Sequence, residues 1–315
     1  MAQNRVGLLR RCHDGWVRDE RTQIAACTTL IESRSEGEQD RAIAFFYRGL
    51  AHRATAAEKA IADQSEAIRL NPWFADAYAA RGWVHADGRR YESAIDDFDA
   101  AIRLDSANAS AFFGRGMARK AQGSYEVAIK DFDVALRLDP SLRNAYDERH
   151  DAYAQLGQSE KGFATNPNML ARSCGMLGKS GAIVEAMTYC QRALAIWADQ
   201  PNALLMRAEI LLKGGQRDLA IADLDRLIRS GPPRYMAPFA FELRGLAHLL
   251  AGRFDAATSD FNVALGVKAN EPIALYGRGL ARQRSGDAVG GAADIAAAKA
   301  MDAGIEKRIA AYGLQ

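Results

Sequence analysis

The sequence predicts an all-α fold, an α-solenoid of stacked helix–turn–helix units. Three observations carry that expectation: a 34-residue period through most of the chain, a glycine recurring near the middle of each period, and the absence of any alternating strand pattern. Two adjacent copies are clearest. Residues 75–108 read ADAYAARGWVHADGRRYESAIDDFDAAIRLDSAN and residues 109–142 read ASAFFGRGMARKAQGSYEVAIKDFDVALRLDPSL. Numbered from Ala75 as place 1, they share an aromatic at place 4 (Tyr78, Phe112) and Arg-Gly at places 7 and 8 (Arg81-Gly82, Arg115-Gly116). They also share Ala at place 20 (Ala94, Ala128), Phe at place 24 (Phe98, Phe132) and Ala at place 27 (Ala101, Ala135).

This spacing of small and large residues resembles the tetratricopeptide repeat, over roughly residues 20–301. The resemblance implies a right-handed superhelix closed by a C-terminal capping helix, and a binding scaffold rather than a catalyst. The phrase IAACTTLIES, the Arg-Gly pairs and the ending DIAAAKAMDAGIEKRIAAYGL are also similar to a group of commonly exported bacterial repeat proteins. That closer likeness implies no activity.

The elements follow in order. Residues 1–41 are an N-terminal segment with a partial repeat, a helix around 20–33. A first array spans 42–157, with repeats starting near Ile43, Ala75 and Ala109 and a lone helix at 143–157. The glycine at place 15 recurs as Gly123, Gly157, Gly181, Gly215, Gly252 and Gly286, with gaps of 34, 24, 34, 37 and 34. The gap of 37 holds an insertion around Gly231-Pro232-Pro233. The gap of 24 removes about one helix, so 158–168, containing the turn signal Asn166-Pro167-Asn168, reads as a linker. A second array covers 169–301, with repeats starting near Pro167, Pro201, Pro238 and Pro272. Residues 302–315 form the cap, with Ile305, Ile309 and Tyr312 on one face and Lys307 and Arg308 on the other.

Composition narrows the function class. The 315 residues carry 41 basic and 39 acidic side chains, a formal charge of +2, so no polyanion-binding surface is expected and nucleic acid is not an expected partner. No apolar run approaches the ~20 residues of a membrane span. The start MAQNRVGLLRRCHDGW has no apolar core of a signal peptide.

Two constellations stand out. Place 7 is Arg48, Arg81, Arg115, Arg149, Arg207, Arg244 and Arg278, and place 23 is Asp63, Asp97, Asp131, Asp223, Asp260 and Asp294. In the repeat at Pro167 both lapse together, to Ser173 and Tyr189, while Arg149 has no partner helix to supply an Asp. Loss in step predicts structural pairs across the helices, Arg81–Asp97, Arg115–Asp131, Arg207–Asp223, Arg244–Asp260 and Arg278–Asp294 among them. The rival reading is a row of arginines for an acidic ligand.

The four cysteines form the other. Cys174 and Cys190 sit at places 8 and 24, and Cys12 and Cys27 have nearly the same separation. Place 8 is otherwise mostly Gly (Gly49, Gly82, Gly116, Gly245 and Gly279), where the helices of a pair approach closest, and close approach is what a disulfide requires. Two helix-clasping disulfides and an oxidising compartment follow, periplasmic or secreted if a signal was trimmed. The alternative is four small buried residues in a reduced, cytoplasmic protein. The pairs lack the short Cys-x-x-Cys spacing of a zinc site, so no metal or cofactor is expected.

His52, His85 and His248 fall at place 11 and read as packing residues. The chain has no phosphate loop, nucleophile elbow or His-Glu-x-x-His run, so no catalytic residues and no enzyme are expected. The resemblance implies that places 2, 5, 9 and 12 of the first helices line a groove for a partner. They hold Phe46, Leu50, Trp83, Phe113 and Met117 in the first array, rimmed by Arg53, Asp76 and Lys120, and Leu205, Glu209, Glu242, Leu246 and Tyr276 in the second. Large apolar residues there suit a bound peptide or helix. Burial by a tight superhelix or by the chain's own termini would account for them equally. Phe46, Leu50, Ala79 and Ala80 replace the Lys and Asn clamp of the family's chaperone-tail readers, which argues against heat-shock chaperones. The expected function is a non-catalytic protein-interaction scaffold, the alternative a self-assembling homo-oligomer.

Overall fold

The computed structural model describes residues 2–13, 20–33 and 37–314, and every regular element among them is a helix. Residues 14–19 and 34–36 of the expected N-terminal segment lie outside the described residues. Two compact units divide the chain, Met1–Gly162 and Phe163–Gln315.

The first unit begins with α1 (Ala2–His13) and α2 (Glu20–Glu32). Then come the pairs α3 (Glu38–His52) with α4 (Ala57–Leu70), α5 (Ala75–Asp87) with α6 (Tyr91–Leu104), and α7 (Ala109–Ala121) with α8 (Tyr125–Leu138). Helix α9 (Arg143–Gln155) follows, and a six-residue helix, α10 (Ser159–Ala164), leads to the division. The sequence reading has neither α1 nor α10. Helix α1 completes a pair with α2. Within α10, Gly162 lies against α9 so closely that a Cβ there would stand 2.6 Å from His150 Nδ1, so the missing side chain is what admits this short helix.

The second unit holds α11 (Pro167–Ser180) with α12 (Ile183–Ile196), α13 (Pro201–Lys213) with α14 (Arg217–Arg229), α15 (Ala237–Leu250) with α16 (Phe254–Val267), and α17 (Pro272–Arg284) with α18 (Ala288–Met301), then α19 (Ile305–Ala310). No described helix is long and apolar enough to cross a membrane.

Local chemistry sets the ends. Proline opens α11, α13 and α17, where its missing N–H is no loss. Asn108 and Asn166 accept hydrogen bonds from the first free backbone N–H groups of α7 and α11. The turns inside the pairs from α5 onward place one residue at positive φ, and the recurrent glycine supplies it in most of them, with Gly123 at +79°, whereas the α3–α4 turn closes without one. In the α5–α6 turn Arg89 occupies that place at φ +56°.

The core repeats with the period. The Phe98 ring is caught between two glycines: a Cβ on Gly82 of its own pair would come within 3.0 Å of it, and one on Gly114 of the next pair within 2.3 Å. Phe261 is held the same way between Gly245 and Gly277. Each ring therefore cements the seam between pairs as well as the pair itself. In both units first helices of successive pairs pack on one another, as α5 does on α7 and α13 on α15, without comparable contact among the second helices. The first helices accordingly line the inner side of each stack.

Candidate functional site

The arginines of place 7 are structural junctions. Arg81 Nε and Nη2 donate to both oxygens of Asp97 at 2.9 and 2.7 Å. The same two-pronged geometry joins Arg48 to Asp63, Arg115 to Asp131, Arg207 to Asp223, Arg244 to Asp260 and Arg278 to Asp294. The remaining Nη1 reaches back to the second helix of the preceding pair: Thr28 for Arg48, Ser65 for Arg81, Asp99 for Arg115, Asp225 for Arg244 and Asn262 for Arg278. Arg149 makes this backward bond to Asp133 at 2.6 Å, which accounts for an arginine on a helix with no place-23 aspartate opposite. The hydrogen bonds that Arg81 donates to Asp97 hold its guanidinium above the ordinary arginine pKa. His52, His85 and His248 stand beside the same aspartates, Nε2 to carboxylate oxygen 4.0, 3.8 and 3.9 Å. Burial pushes His85 and His248 below the ordinary histidine range, so both are neutral at pH 7. Among the described residues no His, Cys, Asp and Glu groups are placed to hold a metal ion.

Both cysteine pairs are at disulfide distance. Cys12 of α1 and Cys27 of α2 have Cα atoms 4.9 Å apart, and Cys174 of α11 and Cys190 of α12 have theirs 5.3 Å apart. All four side chains are fully buried. The Cys174–Cys190 contact occupies the place of the Gly82–Phe98 contact, in a pair where Ser173 and Tyr189 stand at the places of the Arg–Asp junction.

On the inner side of the first unit the expected groove residues meet in a row of rings. Trp83 lies 5.3 Å from Phe98 and 5.9 Å from Phe113, Phe113 lies 5.9 Å from Phe132, and Arg53 stacks on Trp83 at 5.5 Å. Phe46 packs on Phe74 at 4.9 Å, and Met117 joins Phe113 on the cluster around Phe132. These side chains are half-buried by one another, and Leu50 is left 38% exposed. The rim charges are matched locally, Arg53 with Asp87 at 2.9 Å and Lys120 with Glu148 and Asp151.

The second unit differs from the sequence expectation. Leu205 and Tyr276 are half-buried, but Leu246 is fully buried and Glu242 is only 6% exposed. Leu246 sits in the apolar cluster that Ile305, Ile309 and Leu314 join, so it is a core residue and not a free groove side chain. The chain's own end reaches the inner side here. Tyr276 Oη lies 3.4 Å from Glu306, Tyr312 Oη lies 3.5 Å from Glu209 of α13, and Lys213 Nζ stands 5.2 Å over the Tyr312 ring. Burial, with Glu271 next in weight, pushes the Glu242 carboxyl up to about 8, and its Oε2 has no hydrogen-bond partner. The sequence signal for this cover was the apolar triplet Ile305, Ile309, Tyr312. It does not reveal which face the triplet covers.

Next to Tyr312, between α11 and α13, the inner side stays open. A pocket of about 240 Å³ is lined by Gly178, Ile183, Met206 and Ile210, with Lys179, Glu209 and Lys213 at its mouth. It exists because Gly178 puts no side chain opposite Ile210.

Comparison with known proteins agrees with the repeat reading. The tetratricopeptide repeat profile matches residues 79–142 and 205–272. Among curated proteins no relative is found. Similar solved structures include yeast Tom70 (19% identity, TM-score 0.43, 93% of this chain and 58% of that one). A MamA protein aligns at 17% identity and TM-score 0.45, over 64% of this chain and 95% of that one. The second such domain of human RPAP3, solved with an HSP70 peptide, aligns at 30% identity and TM-score 0.36, over 37% of this chain and 98% of that one.

Proposed function

We propose, from the premise that this chain is built from tetratricopeptide repeats, that it is a non-catalytic scaffold holding a segment of a protein partner against the inner sides of its first helices. The observation that carries the reading is the open pocket between α11 and α13. It is apolar at its base, sized for one or two side chains, and rimmed by charges that can orient a backbone. The half-buried aromatic row of the first unit, with Leu50 exposed beside it, offers a second such surface.

A photo-crosslinking residue in place of Lys179, in native host cells, tests this. The expected product is an adduct with another polypeptide that disappears when Met206→Lys fills and charges the pocket. No adduct, or one indifferent to Met206→Lys, would remove the reading. An adduct of two copies of this chain would favour self-assembly instead.

We also infer that the protein works where disulfides persist, because both cysteine pairs join helices of one pair at bonding distance. Four thiols freely alkylated before reduction, in protein from its native compartment, would overturn that.

A further inference from the structure

The last ten described residues do not continue the stack. Helix α19 packs on α17, with Ile305 and Ile309 fully buried, and Gly313 at φ +87° then turns the chain. Within this short stretch the segment meets three first helices in succession: α17 through Tyr276 and Glu306, α15 where Arg308 and Tyr312 lie near Glu242, and α13 through Glu209 and Lys213. That is the course a bound segment would take across the inner side.

The fit is incomplete. A second pocket of about 240 Å³ remains between the segment and α17, lined by Tyr276, Leu280, Glu306, Ile309, Ala310 and Leu314. The hydrogen bonds at Tyr276 and Tyr312 are long, 3.4 and 3.5 Å. Glu242, more than nine-tenths buried under the segment, keeps an oxygen without a donor. A buried acceptor left unpaired is costly, and a ligand that supplied its donor would gain what the present cover forgoes.

We propose that residues 305–314 are a tethered occupant of the inner side of α13, α15 and α17, and that this surface docks a basic amphipathic segment of a protein partner that displaces them. The partner's aliphatic side chains take the places of Ile305 and Ile309, and a lysine or arginine reaches Glu242. Charge favours that choice. With the segment lifted, Glu209 and Glu271 stay paired with Lys213 and Lys268, Lys299 loses Glu306 and Asp302 loses Arg308, and Glu242 is the carboxylate on this surface with no ion pair among the described residues. The proposal rests on reading the inner sides as binding surfaces.

The test uses the full chain with its end loosened, as Ile309→Asp and separately as Tyr312→Ala/Leu314→Asp. Two labelled peptides serve as probes: residues 302–314, and the same peptide with lysine at position 312, the position beside Glu242. Fluorescence anisotropy should give at least tenfold tighter binding of the 302–314 peptide to either loosened chain than to the wild type. The lysine peptide should bind at least fivefold tighter still, and Glu242→Gln in the loosened chain should abolish that gain. No binding to either loosened chain, with wild-type helicity by circular dichroism, would overturn the displaced-occupant idea. A lysine gain that is absent, or that survives Glu242→Gln, would overturn the basic partner. Adducts at position 179 lost with Met206→Lys would leave the scaffold reading standing in either case.

Discussion

A guanidinium shared among three helices does more than balance a charge. Asp97 is 6% exposed, so removing Arg81 strands a nearly buried carboxylate, and removing Asp97 strands a half-buried cation. Arg81→Ala and Asp97→Ala should each cost on the order of 3 kcal/mol in denaturant unfolding. The double variant should lose less than the sum by at least ~1 kcal/mol, and strict additivity would show that the two do not act together. The pairing is legible in the sequence because Ser173 and Tyr189 lapse together. The backward bond is not legible, because its acceptors Thr28, Ser65, Asp99, Asp225 and Asn262 share hydrogen-bonding capacity but no residue type. Glu242 invites a second test at this scale. Its pKa rises from 4.5 to about 8 through burial and the nearby Glu271 and Glu209, against Arg308 and Lys268, with Tyr312 close by. A raised acid costs nothing below pH 4.5, an increasing amount as pH rises, and its full penalty above about 8. Glu242→Gln should therefore stabilise the second unit at pH 7 by on the order of 3 kcal/mol and have little effect at pH 4.5. His85 and His248, with lowered pKa values, destabilise the fold as pH falls below 6.5, and this cancels in the comparison between variant and parent. A variant gain independent of pH would contradict the buried-acid account.

Among elements, the helix pairs are specified by what their closest points contain. Gly116 lies where a Cβ would stand 2.6 Å from the Phe132 ring and 3.2 Å from Asp131 Cβ. Gly116→Ala should cost about 1–3 kcal/mol by forcing α7 and α8 apart, measured by thermal unfolding, although alanine is the better helix former. A stabilised Gly116→Ala would mean that the pair is loosely packed. The pairs could be read from the sequence because this contact recurs every 34 residues. Helices α1 and α10 were harder to find, since neither carries the Gly/Phe or Ala/Phe/Ala face. The buried Cys12–Cys27 contact, at disulfide distance, secures α1, and a single glycine seats α10. The cover of the second unit was only half legible. The apolar face at Ile305, Ile309 and Tyr312 is plain in the sequence, but its docking site depends on a Tyr312–Glu209 approach across 103 residues.

At the scale of the molecule, each of the two compact units carries one clasp, Cys12–Cys27 in the first and Cys174–Cys190 in the second. Each closes a loop of about 15 residues, so reduction should lower the stability of its own unit by ~3 kcal/mol. Differential scanning calorimetry of the chain with Cys12→Ser/Cys27→Ser should move the part of the unfolding curve that belongs to the first unit and leave the other in place. A uniform shift of one transition would show that the units melt together.

The backward reach of the arginines gives each stack a direction. Arg149 bonds to α8, Arg115 to α6, Arg81 to α4 and Arg48 to α2, always toward earlier residues. As the chain emerges from a ribosome, a newly closed pair still lacks the hydrogen bond from the helix that has yet to appear. Its maturation therefore trails synthesis by about one helix, and α9, with no aspartate-bearing second helix of its own, serves to finish the pair before it.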